Sequence, residues 1–458
     1  MTRASLIANL STPPSPEGRE LSALPSSVEF VALRAGVANP EWVSQRFSGS
    51  VLYELNVEDG LDETLLGRIP VEQRIVSWSG EASSLADLQS RFAELAKIPA
   101  RFYKLVNRAR TIREEFLTLH LLKSLDRTDT IAYANGSLGF WTRLAALQLG
   151  APAIFGLASP GPNPGEPTIA KLIADYGLPE AHPVKELFAI IGNPIFHSLS
   201  PRLHNSSYRD TNHPALFVPL QVDSFADFWR EFVQSKQLDA FGFPINGMTV
   251  GSPHKEEAFR TAKNVSSMVQ QTQAANILVR NNGWWRADTT DPDVVYAASN
   301  LQNVRVREKR AAVIGCGGAG RAIAAALAES GAGVTLINRG VERGEYAASL
   351  LGLPYQPLLD FDAEGYDIVV NATPVGRDTD EAPFKLERLN SDAVVIDLVY
   401  GSRPTPLIDS TNARQVAIDG RDVLVTQVRN QFRLMTGKEM SAALAFKVLG
   451  PLSSNGKN

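Results

Sequence analysis

Cysteine occurs once in the 458 residues, at Cys316. A single thiol can build neither an intramolecular disulfide nor a cysteine-rich metal site. No apolar run approaches the ~18 residues a transmembrane helix needs. The start, MTRASLIANLSTPPSP, carries one early arginine and no long apolar stretch before its prolines, so no secretory signal is expected. There is no basic excess either. Lys and Arg number 45 against 49 Asp and Glu, for a net charge of −4. A bulk basic surface for nucleic acid is therefore not indicated. Repeats at solenoid periods and low-complexity tracts are also missing. The composition, 44% hydrophobic and 21% charged, excludes disorder, collagen and coiled coil as the main architecture. A cytoplasmic protein with no membrane or nucleic-acid partner is expected. Its length suggests two or three domains at ~150 residues each.

The strongest punctuation is SPGPNPGEP, Ser159 to Pro167, followed by LPEAHPVKE, Leu178 to Glu186. Together they place a boundary near residue 185, although the first also reads as a long surface loop. Before it, strands are expected at SLIANL, EFVALR, SVLYELN, RIVSWSG, RFYKLV, TIAYANG and PAIFGLA. The segments SSLADLQSRFAELAKI and TIREEFLTLHLLKSL have helical apolar spacing. Alternating strands and helices imply a parallel sheet, as a barrel or an open form. Seven strands are one short of a closed (β/α) barrel. FAIIGNP opens a second α/β series and RAAVIG a third. Two C-terminal helices are expected to fold back onto the second series.

The segment AAVIGCGGAGRAIAAALAESGAGVTLINR contains Gly315-x-Gly317-x-x-Gly320. A lone motif of this kind is weak, but here a strand precedes it and an Ala-rich helix and second strand follow. Gly315 permits the tight turn, Gly317 close approach of a pyrophosphate, and Gly320 close helix–strand packing. The helix start, with Gly318 and Ala319, offers free N–H groups to phosphate. An NAD site usually has an acid at the end of the second strand. This chain has Asn338-Arg339, then Arg343. A guanidinium suits a 2′-phosphate, so NADP(H) is favoured. Arg343 also reads as a solvated helix residue.

Three further segments suggest chemistry. In IGNPIFHSLSPRLHN, Ser198 and Ser200 precede a helix and can hold a small carboxylate, although Ser200 also reads as a plain N-cap. In GMTVGSPHKEEA, Lys255 opens a helix, where its charge opposes the dipole. Such a lysine reads as an acid–base group or as a snorkelling surface residue. In WWRADTTDPDVV, Asp291 follows a strand and can orient Lys255 if the two meet.

In order, GNPIFHSLSPRLHN, TVGSPHKE, AAN with TTD, GCGGAGRA, NR, NATPVG, DLVY and DGRDVLVTQVRNQF resemble the shikimate dehydrogenase family from Phe188 to Gly450. The resemblance implies that Ser198 and Ser200 hold the shikimate carboxylate, with Tyr400 nearby. It implies that Lys255 and Asp291 form the catalytic pair, while Asn276 and Gln427 reach the ring hydroxyls. Asn371 and Thr373 join the cofactor site, and no metal is needed. Departures fall at Gln273, Thr289 and Arg377, where the family has Gly, Asn and Met.

The whole chain resembles the fused dehydroquinate dehydratase–shikimate dehydrogenases. Residues Ser5 to about Tyr176 weakly resemble the type I dehydratase barrel. There Lys104 is in the place of the Schiff-base lysine, and VEFVALRAG and NGSLGFWTR bring Arg34 and Arg143. The family's shuttle histidine is missing from IVSWSGEA, and its carboxylates are replaced by Ala32 and Gly36. We expect this half to be an inactive relic.

The expected architecture is thus α/β throughout. Residues 1–184 form an incomplete (β/α) barrel, 185–295 with 425–458 an α/β substrate domain, and 296–424 a Rossmann domain for NADP. The expected activity is reversible reduction of 3-dehydroshikimate. Alternatives are a quinate or related cyclitol-acid dehydrogenase and a non-catalytic sensor of dinucleotide or shikimate-type ligands. The oligomeric state is left open.

Overall fold

A computed structural model describes residues 2–10, 21, 23–35, 43, 45–60, 63–295, 298, 304–401 and 403–450. Gly36 lies outside the described residues. The chain divides into two compact units, Met1–Ile245 and Asn246–Asn458.

In the first unit all seven expected strands form. They are β1 (Ser5–Leu10), β2 (Phe30–Arg34), β3 (Ser50–Asn56), β4 (Arg74–Gly80), β5 (Phe102–Arg108), β6 (Thr130–Asn135) and β7 (Ala153–Leu157). They pair in parallel in the order β6-β5-β4-β3-β2-β1-β7, a nearly closed barrel. The two-residue period puts Phe30, Ala32, Leu52, Ile75, Phe102, Val106, Ile131, Tyr133, Ala153 and Phe155 in one core cluster. The same period carries Glu54, Ser77 and Lys104 to that face.

The seam between β6 and β7 is filled by side chains at the start of the helix α1 (Trp141–Gln148). Thr142 Oγ1 accepts from Ala134 N at 3.0 Å and donates to Ala134 O at 3.1 Å, satisfying the edge of β6. Arg143 spans the gap, donating to Asn135 Oδ1 at 3.0 Å and Phe155 O at 3.3 Å. Beyond the barrel, β8 (Glu186–Gly192) and β9 (Ala215–Gln221) pair in parallel, flanking α2 (Ser200–Asp210).

The second unit opens within β10 (Ile245–Val250), at Asn246, and continues with α3 (Lys255–Thr261) and α4 (Ser267–Thr272). The antiparallel pair β11 (Ile277–Asn281) and β12 (Trp284–Asp288) follows. Then comes a parallel sheet of β13 (Arg310–Ile314), β14 (Gly333–Asn338), β15 (Tyr355–Pro357), β16 (Ile368–Asn371), β17 (Val394–Asp397) and β18 (Val416–Ile418). Its order, β15-β14-β13-β16-β17-β18, is that of a Rossmann fold. The helix α5 (Gly318–Glu329) follows β13, and α6 (Val341–Leu351) follows β14. The chain closes with α7 (Gly420–Thr436) and α8 (Ala442–Leu449). The helix α7 returns to the earlier part of this unit, packing on β11 as well as β17, and α8 packs on α7. Among the described residues no helix is long and apolar enough to cross a membrane.

Candidate active site

Lys255 and Asp291 meet, although 36 residues separate them. Lys255 Nζ donates to Asp291 Oδ2 at 2.7 Å. The lysine is the first residue of α3, and the aspartate follows β12. Asn276 Nδ2 and Gln427 Nε2 donate to Asp291 Oδ1 at 3.0 and 3.2 Å. The two expected substrate amides therefore fix the carboxylate as well. Asp291 is 4% exposed at its side chain and Lys255 18%, so the pair is shielded with the ammonium nearer solvent. Next door, burial and the Asp291 charge push Asp293 up to about 6.

A second layer holds these groups. Thr290 N donates to Asn276 Oδ1 at 2.8 Å. Gln431 Nε2 donates to Thr290 Oγ1 at 3.0 Å, and Thr249 Oγ1 to Gln431 Oε1 at 3.2 Å. Gln427 and Gln431 are one helical turn apart on α7, so one face of that helix serves both layers. Thr289, in place of the family Asn, is joined to the aspartate, since Asp291 N donates to its Oγ1 at 3.3 Å.

The glycine loop has the geometry its spacing implied. Gly315 has φ +102°, where a side chain is strained. A Cβ on Gly320 would lie 1.7 Å from Gly315 O, so only glycine permits this helix–strand approach. Above Gly317 a Cβ would meet nothing within 4 Å, leaving room against the N-terminus of α5. No acidic residue occupies the first turn of α5. These features fit a dinucleotide pyrophosphate. A Cβ on Gly318 would fall 3.0 Å from Lys255 Cδ, so the loop lies against the stem of the candidate proton donor. Ala319 follows in the same turn.

Other expected cofactor residues build the loop's surroundings. Asn338 Oδ1 accepts from Cys316 N at 3.0 Å and its Nδ2 donates to Gly340 O at 2.7 Å. Asn371 Oδ1 accepts from Thr373 N and Oγ1 at 3.0 and 2.7 Å, and a Cβ on Gly315 would meet Thr373 Cγ2 at 2.8 Å. Arg339 is exposed, as is Arg343 on α6, whose Nη2 lies 3.4 Å from Glu256 Oε1. Arg377 follows the Asn371–Thr373 turn, with its N–H donating to Pro374 O at 3.3 Å. Tyr400 adjoins the start of α7, where a Cβ on Gly420 would lie 2.8 Å from its nitrogen.

Gln273 adopts φ +50°, a left-handed conformation that glycine takes without strain. Its Oε1 accepts from Tyr346 Oη at 2.7 Å, so the substitution ties α4 to α6. Sequence reasoning missed Tyr346, Glu256 and Arg321. Arg321 is fully buried in an Ala-rich helix, and a lone cation in so apolar a segment was the available signal.

In the first unit, Ser198 and Ser200 are both buried. Ser200 is the first residue of α2, not its cap. The cap is Leu199, and Ser198 Oγ accepts from Ser200 N at 3.2 Å.

Inside the barrel, Lys104 Nζ donates to both oxygens of Glu54 at 2.7 Å and lies 4.3 Å from the Phe155 ring centroid. Burial works against the Lys104 charge, but the Glu54 carboxylate outweighs it and holds the lysine above its ordinary value. Burial likewise opposes the Glu54 charge, and Lys104 outweighs it, holding the carboxyl low. The pair is an ammonium carboxylate. Arg143 stacks 4.3 Å from the Tyr133 ring centroid and reaches Glu166 at 3.4 Å. Arg34 is exposed and pairs with Asp59, with Nε donating at 3.0 Å. His120 stacks near Phe241, centroids 4.7 Å apart, and contacts Gln237, so it is a packing residue. Among the described residues no cluster of His, Cys, Asp or Glu could hold a metal ion.

Comparison with known proteins agrees with both halves of this picture. The model of the shikimate dehydrogenase substrate binding domain matches residues 190–278, and that of type I 3-dehydroquinase residues 49–181. The bifunctional 3-dehydroquinate dehydratase/shikimate dehydrogenase, chloroplastic, of Arabidopsis thaliana is 26% identical over 86% of this chain and 68% of its own. The shikimate dehydrogenase (NADP(+)) of Syntrophobacter fumaroxidans is 35% identical over 53% of this chain and 84% of its own. A solved shikimate 5-dehydrogenase from Thermus thermophilus, in complex with NADP(H) and shikimate, superposes with a TM-score of 0.51 at 26% identity, covering 57% of this chain and 98% of that one. The seven-stranded barrel, the Rossmann sheet and these matches together make the chain a member of the shikimate dehydrogenase family, carrying a type I 3-dehydroquinase-like N-terminal half.

Proposed function

We propose that the chain is an NADP-dependent shikimate dehydrogenase that interconverts 3-dehydroshikimate and shikimate in aromatic amino-acid biosynthesis. The observation that carries this is the shielded Lys255–Asp291 pair, joined at 2.7 Å and braced by Asn276 and Gln427. When bound, the nicotinamide supplies the hydride. Lys255 Nζ donates its proton to the carbonyl oxygen as the alcohol forms, and Asp291 keeps that ammonium aimed at the oxygen. In the reverse direction Lys255 recovers the proton. Asn276 and Gln427 hold Asp291 and present amides to the ring hydroxyls. Ser198 and Ser200 are assigned the carboxylate, and Tyr400 is assigned to substrate binding. The loop Gly315–Gly320 holds the pyrophosphate, with Asn338, Asn371 and Thr373 shaping its walls. Arg339 and Arg343 take the 2′-phosphate.

The residues are read as three domains, 1–184, 185–295 with 425–458, and 296–424, in a cytoplasmic protein acting on small molecules. The barrel is read as catalytically inert. A Schiff-base lysine must offer a neutral amine. Lys104 instead keeps its proton, its ammonium donating to both oxygens of Glu54.

The test follows NADPH absorbance with purified protein, shikimate or quinate, and NADP or NAD, with Lys255→Ala as control. Turnover with shikimate and NADP, lost in the variant, supports the reading. Preference for quinate moves it to a cyclitol-acid dehydrogenase. Cofactor binding without turnover moves it to a sensor. For the barrel, borohydride treatment with dehydroquinate is expected to leave Lys104 unmodified by mass spectrometry, and an adduct there refutes inertness.

A further inference from the structure

Glu256 follows the candidate proton donor on α3 and sits among three guanidinium groups. Its Oε1 accepts from Arg321 Nη2 at 2.9 Å and lies 3.4 Å from Arg343 Nη2. Its Oε2 lies 3.7 Å from Arg260 Nη2. The partners differ in kind. Arg321 is wholly buried, its Nε donates to Thr272 O at 2.9 Å, and it lies 5.5 Å from the Tyr346 ring centroid. Arg321 is therefore a fixed partner. Arg343 is 57% exposed and meets the carboxylate only at its edge. Arg343 also lies close enough to the glycine loop for its charge, with that of Arg321, to oppose the burial that pushes Cys316 up to about 11.

We propose that Glu256 sets the cofactor selectivity of this site by competing with the ribose 2′-phosphate for Arg343. The proposal rests on the reading of Arg343 as a 2′-phosphate ligand. A guanidinium that already faces a carboxylate must give up that contact before it can embrace a phosphate. A nucleotide with a free 2′-hydroxyl makes no such demand. Glu256 therefore weakens binding of the phosphorylated cofactor selectively and narrows the preference for NADP over NAD. The exposed half of the cluster is the exchangeable half, because Arg321 keeps Glu256 in place when Arg343 leaves.

The experiment is calorimetric titration with adenosine 2′,5′-bisphosphate and adenosine 5′-monophosphate, which requires no turnover. Wild type, Glu256→Gln, Arg343→Gln and the double variant are compared. Gln retains an acceptor for Arg321, and Glu256→Asp is a second variant that keeps the charge while drawing it back from Arg343. Both position-256 variants are expected to bind the bisphosphate about two- to five-fold more tightly, the scale of an exposed ion pair. Monophosphate affinity should not move. The gain should vanish in the Arg343→Gln background. An unchanged bisphosphate affinity, an equal gain for both nucleotides, or a gain that survives without Arg343 overturns the proposal. If Arg343→Gln alone binds bisphosphate as tightly as wild type, the 2′-phosphate reading of Arg343 fails first, and the proposal falls with it.

Discussion

Neutralising Glu54 should destabilise the barrel far more than removing its whole ion pair. The side chains of Lys104 and Glu54 are only 7% and 16% exposed. In Glu54→Gln the ammonium loses the opposing charge and one of its two acceptor oxygens. What faces it then is the Phe155 ring and the like charge of Arg143, which already opposes the lysine's protonation. Breaking one side of a buried pair costs about 3–5 kcal/mol. Replacing both members by apolar residues of similar volume is often neutral or stabilising. Glu54→Leu with Lys104→Met should therefore lie within about 1 kcal/mol of wild type, or above it. Urea denaturation followed by tryptophan fluorescence measures both. At an m-value of about 2 kcal/mol per molar, the single variant lowers the midpoint of the barrel transition by roughly 2 M. The contribution of Glu54 also has a defined pH window. Its folded value is held low, so the stabilisation is present above the ordinary carboxyl range and is lost as pH falls through the folded value. A single variant no less stable than the double variant would refute the claim that this pair is buried and mutually dependent.

Lys255→Ala and Asp291→Asn are each expected to lower shikimate-dependent NADP reduction by about a hundredfold or more, read as initial rates. Gly318→Ala places a methyl 3.0 Å from Lys255 Cδ and 2.9 Å from Ala274 Cβ, so it should lower kcat about tenfold while the protein stays folded by circular dichroism. His204 is held down to about 3 by burial against an ordinary 6.5. The unfolded chain then binds the extra proton between those values, so this contribution rises with pH across the window and is complete above it. Its scale is about 5 kcal/mol, and His204→Phe should flatten that limb of the stability–pH curve. Glu115 runs the other way. Burial pushes it up to about 7 from 4.5, so stability declines as pH rises between those values, by about 3 kcal/mol. Chemical denaturation of Glu115→Gln across that range should show the decline removed.

The barrel strands were legible because short β-rich runs alternate with helical segments along this half, and all seven formed where those runs lie. The glycine loop was legible because its steric demands are local. Gly320, 1.7 Å short of room for a Cβ, is the extreme case. The closure of the barrel was not legible. Arg143 was read only as a residue of the dehydratase-like half and Thr142 drew no reading, and only the fold shows that they fill the β6–β7 seam. Likewise, Glu256 and Arg321 are 65 residues apart, and no periodicity links them. Gln273 was visible as a departure at a glycine position. Its meaning depended on Tyr346, which its side chain reaches on α6.

The two lysines at the chemical centres show where sequence reasoning stops. Lys255 was conspicuous because its charge opposes a helix dipole, and Lys104 because it takes the place of a Schiff-base lysine. Each turns out to be paired with a carboxylate at 2.7 Å. The pairs differ in what surrounds them. Asp291 gives one oxygen to Lys255 and the other to two amides, so the lysine keeps only a one-point hold and has 18% of its side chain exposed. Glu54 gives both oxygens to Lys104 in the barrel interior, where exposure is 7%. A one-point, partly open contact lets an ammonium turn to a substrate oxygen and exchange its proton. A two-point, closed contact holds the proton and leaves no lone pair to attack a carbonyl. On the proposed reading, the same ammonium–carboxylate pairing at the same distance serves as a proton donor in one unit and a structural ion pair in the other, and the difference lies in how many carboxylate oxygens the rest of the fold has already claimed.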